Sequence, residues 1–140
     1  MAVALVMLPA CGSGGGQPLT KAQYAAKADA ICAKGSERQK ALGNPTSVAE
    51  LGQVADRTLS ILDDAISDLS KLKPPASEQT KADQWLAQVR QLRDDLEQIR
   101  DKAKAQDLKA LQQIATTSQQ HNAQANQLAT DLGMTVCNKN

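Results

Sequence analysis

The three cysteines of this 140-residue chain are its most reactive side chains: Cys11, Cys32 and Cys137. An odd number leaves one cysteine without an intramolecular partner, so one of them needs a separate role. Cys11 stands in MAVALVMLPACGSGGGQPLT, with an apolar run over residues 2–9, Leu8 three positions before it, and the small residues Ala10 and Gly12 on either side. That is the pattern of a bacterial lipobox. The apolar run inserts, small residues fit the signal peptidase, and the new N-terminal cysteine takes a thioether-linked diacylglycerol as its anchor. The run from Gly12 to Gly16, followed by Gln17-Pro18, has no side chain worth burying and reads as a flexible tether. A packed N-terminal strand or turn is the competing reading, but glycine and serine directly after Cys11 would uncouple it from a core. A phosphate-binding loop would need a Lys-Ser/Thr ending that GSGGGQ lacks. No Lys or Arg precedes the apolar run, which is short for an export signal, so either the natural start lies upstream of Met1 or the leader has been trimmed.

With Cys11 assigned to lipid, Cys32 and Cys137 form an even pair. A bridge between them closes a loop of about 100 residues, worth roughly 4–5 kcal/mol in the chain-entropy model. Export to an oxidising compartment favours the bridge over two free buried thiols.

The remaining titratable groups offer little chemistry. His121 is the only histidine, and the fourth helix offers only Ser118, Gln120, Asn122 and Gln124 around it. Neither Glu-x-x-His nor His-x-x-x-His occurs, nor Cys-x-x-Cys-His, so di-iron, zinc and covalent haem sites are not expected, and no cofactor is. Asp63, Asp64 and Asp68, and likewise Asp94-Asp95, read as solvated helix faces, because a calcium loop needs a flexible turn. No nucleophile–base–acid set is legible, and a bridged Cys32 is no nucleophile, so catalysis is not expected.

These side chains must be positioned by helices. The chain has no Phe, one Tyr (Tyr24) and one Trp (Trp85), while helix formers dominate. Sixteen basic and fifteen acidic residues give a net charge of +1, with no basic stripe or stacking platform for nucleic acid. No apolar run approaches the ~20 residues of a membrane-spanning helix.

Capping and periodicity delimit four helices. Thr20 with Gln23 forms a capping box ahead of Tyr24, Ala28, Ile31, Cys32 and Gly35, and Gly43-Asn44-Pro45 ends that helix. Ser47 with Glu50 opens the second, whose stripe is Leu51, Ala55, Thr58, Leu62, Ala65, Leu69 and Leu72 before Pro74-Pro75. Ser77 is expected to cap the third, with Ala82, Trp85, Val89, Leu92, Leu96, Ile99 and Ala103 inward and Arg90–Asp94 and Arg93–Glu97 pairs outward. Asp107 should cap the fourth, striped by Leu111, Ala115, Ser118, Asn122, Ala125, Ala129 and Leu132, with Gly133 as left-handed C-cap. Short connections make neighbours antiparallel. The expected fold is all-α: an antiparallel up-down-up-down four-helix bundle, two packed helical hairpins closed by one disulfide. A coiled-coil dimer is the alternative.

Trp85 is the largest anchor and reads as core, with a partner-binding hot spot as the alternative. The segment TTSQQHNAQANQ puts Ser118 and Asn122 on the stripe of the fourth helix, and Thr58 does so on the second. This polar gap is either a buried layer fixing register or the lining of a groove between the fourth and first helices that receives a ligand.

The segments LTKAQYAAKADAICAK, PP ahead of a Trp-Leu helix, and LGMTVC together resemble a family of small helical lipoproteins of high-GC Gram-positive bacteria (actinobacteria). The resemblance covers nearly the whole chain. It implies roles for Cys11, Cys32 and Cys137 and no reaction or catalytic residue.

The domain reading is a signal peptide over 1–10, the lipidated cysteine and tether over 11–19, the helical bundle over 20–137 and a tail over 138–140. The functional expectation is a monomeric, non-catalytic lipoprotein on the extracytoplasmic face of the cell membrane. It would be anchored through its N-terminal lipid and bind a protein or cell-envelope component. The alternative is a small-ligand carrier or sensor using a groove between helices. Candidate surface residues are Trp85, Thr58, Ser118, His121 and Asn122.

Overall fold

The computed structural model describes residues 16–139, so the expected signal peptide and Cys11 lie outside the described residues. The order of elements is α1 (Lys21–Lys40), α2 (Val48–Ser70), α3 (Gln79–Lys104) and α4 (Leu108–Asp131), with 3₁₀ turns at Ala76–Glu78 and Cys137–Lys139. Among the described residues there is no strand.

Local chemistry sets most helix ends. The Thr20 hydroxyl accepts from the Gln23 N–H at 3.2 Å while the Gln23 amide oxygen accepts from the Thr20 N–H at 3.0 Å, a complete capping box. The Ser47 hydroxyl accepts from the Glu50 N–H, but the Glu50 carboxylate turns to the N–H and hydroxyl of Thr46, both at 2.7 Å, so the second box is not reciprocal. Ser77 does not cap α3: Pro74-Pro75 lead into the 3₁₀ turn instead, and α3 begins after Glu78 without a side-chain cap. The Asp107 carboxylate accepts from the Ala110 N–H at 3.1 Å and caps α4. Gly133, at φ +85°, ends α4 in a Schellman turn, with the Met134 N–H on the Ala129 carbonyl and the Gly133 N–H on that of Thr130.

Consecutive helices run antiparallel, as their cross-links show. Leu19 N–H donates to the Lys73 carbonyl at 2.8 Å, and Arg38 meets Asp64 further along. Between α2 and α3, Arg90 reaches Ser70, Arg93 reaches Asp63 and Lys104 reaches Asp56, one helix advancing as the other recedes. The expected Arg93–Glu97 pair forms, whereas Arg90 turns to Ser70 rather than Asp94. A Cβ at Gly52 would lie 3.3 Å from Lys104 Cγ, so the backbones of α2 and α3 come close at this end.

The packed core sits at the end where α1 begins. Tyr24, Ala28, Leu69, Trp85, Leu132 and Met134 meet there, with Trp85 only 2% exposed. Long seams join α2 to α3 and α3 to α4, a shorter one joins α1 to α2, and none of this kind joins α1 to α4. The ring of four helices is therefore open along one side.

Candidate functional site

The open side leads to a cavity of about 300 Å³. Its floor comes from the central hairpin: Ile61, Leu62 and Ala65 of α2, and Val89, Leu92, Leu96 and Ile99 of α3. All but Ile61 remain half-buried, although they occupy the inward stripe positions that a closed bundle would cover. The reason lies in the walls. Past Cys32 the inward face of α1 continues as Gly35, Ser36 and Gln39, and α4 answers with Ser118, Asn122 and Asn126. Two faces of glycine, hydroxyl and amide groups bury little apolar surface by meeting, so beyond the packed end α1 and α4 form no long seam. A second hollow, beside the α1–α2 connection, shares Ser36, Gln39, Thr58 and Leu96 with the first and extends it toward the far end of the bundle.

Four of the five expected surface residues converge here. Trp85, Thr58, Ser118 and Asn122 all line the cavity, Trp85 as a buried core residue rather than an exposed hot spot. The Thr58 hydroxyl donates back to the Val54 carbonyl at 2.9 Å, which satisfies it within its own helix. Gly35 lies on the expected inward stripe of α1, and Ser36 and Gln39 extend that face beyond it. Their signal in the sequence is the same spacing, carried on from Cys32 and Gly35.

His121 goes elsewhere. Its Nδ1 lies 2.7 Å from Asp95 Oδ2, and the Gln91 amide donates to the other Asp95 oxygen at 3.3 Å. Asp95 is 3% exposed, so the expectation of a solvated Asp94-Asp95 face fails for Asp95. A single-residue step along a helix turns the side chain by about 100°, and that takes Asp95 under α4 while Asp94 faces water. The pair is outside the set of residues lining the cavity.

At the packed end, Cys32 and Cys137 are bridged, with Cα atoms 5.4 Å apart and a sequence separation of 105. Both also border the cavity. One turn before Cys32, the Asp29 carboxylate accepts from the N–H groups of Thr135, Val136 and Cys137 at 2.8–2.9 Å, and from the Thr135 hydroxyl at 3.1 Å. Burial pushes the Asp29 pKa up, and the backbone donors of Cys137, Thr135 and Val136 outweigh it, so the carboxyl sits below its ordinary value. Asp29 and the disulfide fasten the C-terminal segment to α1 side by side. Residues 138 and 139, expected as tail, belong to the 3₁₀ turn of that segment. Nearby, burial and the neighbouring Asp83 charge push the Tyr24 phenol up to about 12.

Among the described residues, no cluster of three or more His, Cys, Asp or Glu side chains could hold a metal ion, and no helix is long and apolar enough to cross a membrane. What the site can do is take up an apolar body between helices and offer it neutral hydrogen-bonding groups from two walls. No protein family, curated protein or solved structure matches the chain.

Proposed function

We propose that this protein is a lipoprotein, anchored through Cys11 on the extracytoplasmic face of the membrane, whose helical domain binds a small, largely apolar ligand between α1 and α4 without acting on it. The observation that carries this reading is the cavity: apolar stripe residues of α2 and α3 lie half-exposed beneath an unsealed seam. Leaving them so costs about 25 cal/mol per Å² of apolar surface, a cost that a bound ligand would offset. A bundle acting only through its outer surface would have no use for the opening, so the cavity favours ligand binding over a docking module for an envelope protein. The lipobox and glycine tether support the anchor, and the disulfide suits an oxidising compartment.

Two experiments test the two halves. Native mass spectrometry of the full chain purified from producing cells should show a ligand adduct in the wild type that Gly35→Leu lacks; no adduct, or an equal one, defeats the ligand reading. Metabolic labelling with a radioactive fatty acid should mark the wild type and not Cys11→Ser, and equal labelling defeats the anchor.

A further inference from the structure

We infer that the ligand is an uncharged, single-chain amphiphile: one alkyl or acyl chain lying on the α2–α3 floor, with a neutral hydroxyl- or amide-bearing head against the walls. This rests on the ligand-binding reading above and names its chemical class.

Shape comes first. The floor runs along α3 from Trp85 to Ile99, on the order of 20 Å at the helical rise of about 1.5 Å per residue. Some 300 Å³ along that length makes a narrow trough, at the small end of ligand pockets. It suits one extended chain better than a fused ring system or two chains abreast.

Charge decides the head. Among the described residues, no Lys, Arg, His, Asp or Glu lines the cavity. An ionised head drawn into it would lose water and meet no counter-charge. The Thr58 hydroxyl is committed to its own helix, and the polar groups a head can meet are the Ser118 hydroxyl and the amides of Gln39 and Asn122, on the walls. A neutral head exchanges water for these groups at little net cost. The adjoining hollow includes Lys40, but that side chain is solvent-exposed, where an ion pair adds little.

The test uses Trp85, the one tryptophan of the chain and a lining residue of the cavity, as an intrinsic reporter. The full chain is titrated with monododecanoylglycerol and, separately, with dodecanoate at pH 8, each below its micelle-forming concentration. Trp85 emission should change saturably with the glyceride, and dodecanoate should bind at least tenfold more weakly. Asn122→Lys, which puts a cation on the wall of α4, should bring dodecanoate at least level with the glyceride. Gly35→Leu should abolish both responses while remaining folded. A Cβ there meets only Ile61 Cγ2 at 3.8 Å, and the added side chain would fill the trough.

Dodecanoate binding as tightly as the glyceride to the wild type overturns the neutral-head assignment and leaves the cavity reading intact. No saturable response to either probe, or responses unchanged in Gly35→Leu, overturns the cavity reading itself. A concentration-dependent dimer that Gly35→Leu dissolves would show that a second copy occupies the groove, and would also overturn the inference.

Discussion

Asp95 of α3 and His121 of α4 meet with 2.7 Å between Oδ2 and Nδ1, and Asp95 is the buried charged side chain among the described residues. The contact joins the middle of α4 to the central hairpin at the level where α4 has few apolar side chains to contribute. Its energy lies in partnership, since a buried carboxylate is tolerable only while donors surround it. His121→Leu should therefore destabilise the fold by about 2–4 kcal/mol in urea unfolding, because it leaves Asp95 stranded. The double variant Asp95→Leu/His121→Leu should recover most of that loss. Additive losses would show that the two side chains do not act as a pair.

Asp29 predicts the acid limit of the C-terminal latch. Its folded-state pKa is depressed by the backbone donors of Cys137, Thr135 and Val136, which outweigh burial. The stability it contributes is thus present above the ordinary carboxylate pKa of about 4 and is lost as pH falls through the lower native value. Asp29→Ala should cost roughly 2–3 kcal/mol at neutral pH, and the variant should lose less further stability than wild type between pH 5 and pH 2. Parallel stability–pH curves for the two proteins would refute the assignment.

Tyr24 sets an alkaline counterpart. With its phenol raised to about 12 by burial and by Asp83, its neutral form stabilises the fold fully below the unfolded value of about 10. That contribution disappears as pH climbs toward 12. Phenolate absorbance should report one tyrosine titrating above pH 11, or else appearing together with unfolding; Tyr24→Phe should flatten stability over that window. Titration near pH 10 in the folded protein would contradict the burial.

The disulfide gives the largest single effect. Opening a bridge of sequence separation 105 should cost roughly 4–5 kcal/mol by the loop-entropy relation. The midpoint of thermal unfolding should fall by well over 10 °C in reductant, and equally in Cys32→Ser/Cys137→Ser. That double variant keeps only Cys11, and its unfolding midpoint should not fall further in reductant.

Much of the architecture was legible along the chain because it depends on local chemistry. The Thr20–Gln23 box, the Asp107 cap and the Gly133 turn involve neighbours a few residues apart, and the stripes of α2 and α3 repeat without interruption. Where one local option competed with another, reading failed. Ser77 offered a cap, but two prolines ahead of it impose extended backbone and a 3₁₀ entry. Glu50 could reach back to Ser47 and instead took the two donors of Thr46.

Four antiparallel helices and a polar interruption in the fourth were determined by the sequence alone, because caps and periodicity are written in neighbouring residues. Three cysteines yield Cys32 with Cys137 only once Cys11 is set aside, and the fold brings those two together. The tertiary structure decided what the interruption does. Ser118 and Asn122 could have met polar partners and sealed a register-fixing layer, as buried polar groups in a closed bundle must. Opposite them, however, stand Gly35, Ser36 and Gln39, with neither bulk to fill the gap nor apolar surface to close it. Asp95 went the other way: it looked like surface beside Asp94, and His121 drew it into the α3–α4 interface. Both outcomes depend on which face of one helix confronts which face of another, a relation that no single stretch of sequence contains.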